Sequence, residues 1–248
     1  MKSSAMSSRN FAFLLSAVLL AAASTCASAQ SGNFSIIQHG KPVGTATFNF
    51  VSTARGYDST SMVRVVMQGL DYALSKTELL TAANHLENVQ LNATINNSAV
   101  SVTGVPDAAQ ILLNISADGR SYTTHLAPHP AAVFLPDFDP GAFETLLALA
   151  ITQNSRDLWA IIPKQTGSLI GSIVPVQLAT YADEQGALDG KAISVHHLKA
   201  TIAGVTTDLF SGPENQLLQA ELTQQGFALV RKGFILSPPV HPGAPAVE

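Results

Sequence analysis

Two aspartates, Asp137 and Asp139, stand just before an apolar run in the stretch D-F-D-P-G-A-F-E-T-L-L-A-L-A-I-T-Q-N over Asp137–Asn154. Such a carboxylate pair could serve acid–base chemistry or hold Ca²⁺. The local sequence gives both residues a structural role as well. Asp139 is a natural N-cap, Pro140 suits the first helical position, and Asp137 can face water near the positive end of the helix dipole. The cap role accounts for Asp139 without any ligand.

The histidines offer less. His196 and His197 are adjacent, and on a strand adjacent side chains point to opposite faces, so the two rings cannot chelate one ion. His125 and His129 are four apart, but Pro128 and Pro130 around the second deny them a shared helical face. Neither pair has the H-E-x-x-H form. Gly167-Ser168 and Gly171-Ser172 are the nearest glycine-serine pairs, and no G-x-S-x-G elbow is present. Since a triad is defined by geometry, a hydrolase built from scattered Ser, His and Asp stays open as an alternative. The chain has no phosphate-cradling glycine loop and no dinucleotide fingerprint. These residues imply no metal and no cofactor. Asn33, Asn92, Asn96 and Asn114 head glycosylation sequons, which matter only in a host with that machinery and otherwise read as Asn-rich turns.

The elements that would position such residues are mostly strands. Within Asp137–Asn154, Phe143, Leu146, Leu147, Ala150 and Ile151 fall at i, i+3, i+4, i+7 and i+8, predicting a helix over about 140–153 that Asn154 closes. With Ala148 and Leu149 off that stripe, the helix is apolar nearly all round and should be buried. Elsewhere, alternation dominates. Gly44, Ala46, Phe48 and Phe50 alternate with polar residues, as do Val89, Leu91, Ala93 and Ile95. Asp118-Gly119 between Ile111–Ser116 and Ser121–Leu126 is a type I′ hairpin signal. Asn96-Asn97, Asp189-Gly190 and His39-Gly40-Lys41-Pro42 mark further turns. Leu79–His85 fits either a helical turn or a connection, and Pro175 places its strand at an edge or at a strand start. In all, roughly a dozen strands with regularly spaced turns predict an antiparallel fold. The expected class is mainly β, a curved antiparallel sheet or incomplete barrel around one apolar helix.

Composition narrows the function. The 248 residues carry only 12% charged side chains, with 13 Lys and Arg against 17 Asp and Glu, net −4. Nothing there favours nucleic acid or an anionic membrane surface. Lys2 and Arg9, the apolar Phe11–Ala23 and Ala27-Ser28-Ala29 before Gln30 form an export-signal pattern. Residues 1–29 are thus expected to be cleaved, leaving a periplasmic or secreted chain. Lipidation at Cys26 is the rival, weakened by Thr25 before it and by the absence of Leu three positions upstream. Cys26 is the only cysteine, so the remainder has no disulfide and no thiolate chemistry. No later apolar run is long enough for a transmembrane helix. Residues 30–236 read as one β-rich domain, and the proline-rich 237–248 as a tail with nothing to bury.

Two further stretches carry a resemblance. Ser35–Phe50, S-I-I-Q-H-G-K-P-V-G-T-A-T-F-N-F, resembles an opening strand pair of the form x-G-x-x-V-G. Val174–Gly186 and Gln216–Phe234 resemble later strands of the same class, the periplasmic half-barrels of the outer-membrane lipoprotein carrier superfamily. The resemblance implies a curved sheet folded around apolar helices, able to accept lipid chains in its concave face. It transfers no functional residue to a numbered position, and this chain has one good helix where such carriers have more.

The expected function is non-enzymatic binding of an apolar ligand, a lipid or acyl chain, in the sheet's concavity. Phe143, Leu146, Leu147 and Ile151 would line that cavity, with Trp159 at its rim, since a lone tryptophan after Arg156-Asp157 suits an anchor. The alternative is that these residues fill the interior, making the protein an envelope scaffold or interaction module with an envelope protein as partner.

Overall fold

The computed structural model describes residues 30–107, 109–152, 154, 157–166 and 169–238. The expected leader with Cys26, Arg156, Gly167-Ser168 and the tail beyond Pro238 lie outside the described residues.

Eight strands open the fold: β1 (Gln30–Gln38), β2 (Lys41–Ser52), β3 (Gly56–Met67), β4 (Leu70–Thr81), β5 (Leu86–Ile95), β6 (Ser98–Pro106), β7 (Ile111–Ala117) and β8 (Arg120–Leu126). Each pairs antiparallel with the next. The turns that join them follow the expected chemistry. His39-Gly40, Asn96-Asn97 and Asp118-Gly119 all take positive φ at both central positions, which type I′ hairpins require because their twist matches that of the strands. Leu79–His85 resolves as the end of β4 and a tight connection, with Thr81 Oγ1 accepting the N–H groups of Ala83 and His85.

The short β9 (Ala132–Phe134) precedes the helix α1 (Pro140–Leu147). Then come β10 (Leu158–Thr166), β11 (Leu169–Thr180), β12 (Glu184–Leu188), β13 (Lys191–Ile202), β14 (Val205–Ser211), β15 (Leu217–Leu222), β16 (Phe227–Arg231) and β17 (Phe234–Leu236). β16 pairs with β1, so the second set extends the first as β1-β16-β15-β14-β13-β11-β10-β9. β12 and β17 form a small flap on the start of β13. β10–β9 is the one parallel pair among the described ladders. Pro175 sits opposite Trp159 of β10, just before β11 begins to pair with β13 at Val176. Its missing N–H therefore lies on a side with no ladder, as proline demands.

A sheet of this many twisted strands must curl. β8 pairs only with β7 and β9 only with β10 among the described residues, so the sheet curls without closing. The expected class, a curved, mainly antiparallel sheet around one helix, is what the chain forms. α1 lies within the curl against β2, β3, β9 and β15, and all eight of its residues are buried. It runs straight into a π-helical turn, Ala148–Thr152, and Asn154 at φ +48° follows it. The wider turn shifts the register of the apolar stripe by about one residue. Leu149 is therefore fully buried, while Ala150 and Ile151 are only partly so, the reverse of what a continuous α-helix predicts.

Candidate functional site

The inward face of β4 reads Tyr72, Leu74, Lys76, Glu78, Leu80, with all five residues buried. Strand alternation thus sends two charges into the core. Opposite them on β3, Ser61 pairs in register with Lys76 and Ser59 with Glu78, and both serines also face inward. The third charge comes from the helix. Asp139 caps α1 with Oδ1, which accepts the Gly141 N–H at 2.9 Å. Its other oxygen, Oδ2, lies 2.5 Å from Lys76 Nζ, and Glu78 Oε2 lies 2.7 Å from the same nitrogen. Side-chain exposure is 0% for Lys76 and Asp139 and 2% for Glu78.

Two local features bring Asp139 there. Phe138 adopts φ +59°, a left-handed conformation that costs a bulky residue energy and persists only when the surroundings impose it. Its ring is held edge-on between Tyr72 and Phe227, with centroids at 6.0 and 4.9 Å. On either side of it, Asp137 turns outward to Lys164 at 3.1 Å and Asp139 turns inward. The carboxylate pair considered from sequence is therefore split between water and core. Gly141 is the second feature: a Cβ there would stand 2.5 Å from Ser61 Oγ and 3.2 Å from Phe48 Cβ. Only glycine lets the helix start come this close to β3.

The electrostatics follow from burial. Burial pushes the Glu78 carboxyl up against the pull of Lys76, and the negative charge of Asp139 adds to the rise. Burial opposes the Lys76 charge, but the carboxylates of Asp139 and Glu78 outweigh it and hold the ammonium above its usual range.

A second buried carboxyl, Glu144, lies one turn further along α1. Its Oε2 accepts the Leu217 N–H at 2.8 Å, and its Oε1 accepts from Gln30 Nε2. Burial raises it to about 7, opposed by the Leu217 N–H and by Arg231. Arg231 donates through Nε to Leu217 O at 2.7 Å and through Nη1 to Ser31 O at 3.0 Å, and lies over the rings of Phe34 and Phe48.

Of the residues expected to line a cavity, Phe143, Leu146 and Leu147 sit together in the main core, 3%, 1% and 1% exposed. Ile151 and Trp159 pack against that core from its margin. Trp159 stacks on His129 at 3.7 Å between centroids and donates Nε1 to Asp157 at 2.7 Å. Phe143 borders a recess of about 130 Å³, shared with Leu135, Phe138, Ile162, Ile202 and Leu222. A larger surface trough, about 710 Å³, crosses the sheet between β2 and β7 and includes Thr45, Thr47, Met62, Ser75, Thr94 and Ser101.

The histidines are engaged elsewhere. His125 bonds Gln110 and His196 bonds Asp183, while His197 bridges Glu184 and Asp208 at 3.0 and 2.9 Å. His196 and His197 thus address different partners, as their opposite facing requires. No group of three or more His, Cys, Asp or Glu that could hold a metal occurs among the described residues. No helix among them is long and apolar enough to cross a membrane.

The Lys76–Glu78–Asp139 trio does not follow from a search for motifs, because it joins a strand to a helix cap far away in sequence. Its signal is a broken alternation: Y-x-L-x-K-x-E-x-L places two charges where apolar residues belong. No family model matches the chain, and no curated protein or solved structure matches it either.

Proposed function

We propose that this chain is an exported, non-enzymatic module of the cell envelope whose interior is filled by its own helix and whose outer face meets a protein partner. The observation that carries this reading is the packing of Phe143, Leu146, Leu147 and Leu149 into the concavity, each at most 3% exposed. A carrier of lipid chains needs that space open. The leader pattern over 1–29 supports export. The trough between β2 and β7, with Met62 64% and Val66 56% exposed on the same face of β3, supports an outer contact surface.

One feature favours a second reading, the carriage of a small apolar ligand. The recess beside Phe143 is lined mainly by apolar side chains and has Lys164 and Asp137 among its lining residues, a fit for a short acyl group with a polar end. The resemblance of Ser35–Phe50 and Gln216–Phe234 to lipid-carrying half-barrels supports it too.

Native mass spectrometry of the protein purified from its own host, followed by organic extraction, separates the two. The module reading predicts a clean apo mass and no uptake of added fatty acid or phospholipid. A near-stoichiometric lipid, displaced by Phe143→Trp, overturns it in favour of the carrier.

A further inference from the structure

Lys76, Glu78 and Asp139 make an odd ion cluster. Nζ of Lys76 lies 2.7 Å from Oε2 of Glu78 and 2.5 Å from Oδ2 of Asp139, so one amine faces two carboxyl groups deep in the core. Burying these ions is unfavourable unless their geometry is excellent.

We propose that Lys76 and Asp139 are joined by an intramolecular amide bond formed autocatalytically in the folded core, with Glu78 as the proton relay. In the step, Lys76 Nζ attacks Asp139 Cγ, the Nζ–Cγ bond forms, and the Cγ–Oδ2 bond breaks. The ammonium and carboxylate together become one amide and one water: two of the three ammonium protons leave with Oδ2. Glu78 Oε2, 2.7 Å from Nζ, relays a first proton from the ammonium to Oδ2, which frees the lone pair that attacks, and a second once the Nζ–Cγ bond has formed, so that Oδ2 leaves as water and Glu78 ends as it began. No oxidant, reductant or cofactor enters the balance.

Each requirement of this reaction has a residue. The nucleophile and the carboxyl are held together by rigid elements, which removes the entropy of bringing them together and is worth effective molarities of about 10⁵–10⁸ M when alignment is good. Asp139 Oδ1, the oxygen that stays, already accepts the Gly141 N–H at 2.9 Å. That donor, at the positive end of α1, is placed to stabilise the oxyanion of the tetrahedral intermediate. Exclusion of water favours the neutral amide over the buried ion pair and keeps hydrolysis away. The strained Phe138 and the small Gly141 explain why the carboxyl is pressed onto β4: the first turns Asp139 inward, the second admits the helix start. The bond would tie β4 to the start of the core helix in a chain with no cysteine after Cys26.

The test is peptide mapping of the purified full-length wild-type protein after unfolding and trypsin digestion. The expected product is a branched peptide carrying Lys76 and Asp139, lighter than its two parent peptides by one water, with no cleavage after Lys76. Glu78→Gln should fold to the same circular dichroism spectrum yet give the two separate peptides at full mass. Lys76→Met, which has no nucleophile, serves as the second unbranched control. Ordinary linear peptides with cleavage after Lys76 from folded wild type would overturn the bond. A branched peptide from Glu78→Gln would overturn the role of Glu78 while leaving the bond standing.

Discussion

α1 carries two buried carboxyl sites a turn apart, and they are built on opposite plans. Glu144 meets a backbone N–H, an amide side chain and a nearby guanidinium. Arg231, its cation, spreads over two carbonyls and two aromatic rings. That site is a network in which most polar atoms have a partner, and its carboxyl can gain or lose a proton near neutral pH. The Asp139 site instead presses two carboxyls onto one ammonium, with only the Gly141 N–H from the backbone. The lesson is that burial alone does not decide what a charged group does. Backbone partners make a buried carboxyl a titrating structural group, and an amine pressed against one gives the proposed bond its two partners.

Removing the amine should have the largest effect. Lys76→Met removes the bond and leaves the Glu78 and Asp139 carboxyls buried with no basic partner, at a cost of about 3–5 kcal/mol, read as a lower urea midpoint. Adding Glu78→Leu should recover much of that loss, because the second uncompensated carboxyl is then gone. If Lys76→Met proved neutral, the two sites would not differ as argued.

Glu144 should give a smaller effect, and one confined to a pH window. Its folded carboxyl titrates at about 7 against an ordinary 4.5, so between those values the folded chain holds a proton that the unfolded chain has released. Stability then falls as pH rises from about 4.5 to about 7 and levels off above, a loss of about 3 kcal/mol at 1.36 kcal/mol per unit. Glu144→Gln should flatten that slope in urea titrations at successive pH values. An unchanged slope would remove Glu144 from the comparison.

The exposed pair Arg64–Asp71 supplies the lower bound. The two side chains pair across β3 and β4 with about half of each in water, where screening leaves ion pairs little net worth. Asp71→Asn is expected to leave the melting temperature unchanged within error. A clear fall would show that surface charge, and not only buried charge, holds this sheet.

Much of the fold was legible in the residues because hairpin chemistry and alternation are local. Asp118-Gly119, Asn96-Asn97 and Asp189-Gly190 announce turns that the chain makes, with φ of 51°, 48° and 50° at their first positions. The cap at Asp139 and the burial of the helix were equally local. The π turn was not legible: the run from Ala148 to Ile151 fits either register, and the packing decides that Leu149 goes in. The trio was half legible. Lys76 and Glu78 break an inward apolar row, but nothing in the sequence says that Asp139 will close on them, since that depends on how the sheet curls. Glu144 was hidden for a similar reason: its partner N–H belongs to Leu217 on β15.

The most direct test of the contrast between the two sites is a crystal structure at a resolution that separates bonded from non-bonded atoms. Continuous planar density from Lys76 Nζ to Asp139 Cγ at the amide length of about 1.33 Å, with Glu144 unlinked and bonded to Leu217 N–H, is the predicted result. Two discrete side chains, with Nζ resting at ion-pair distance from both Asp139 and Glu78, would contradict the account.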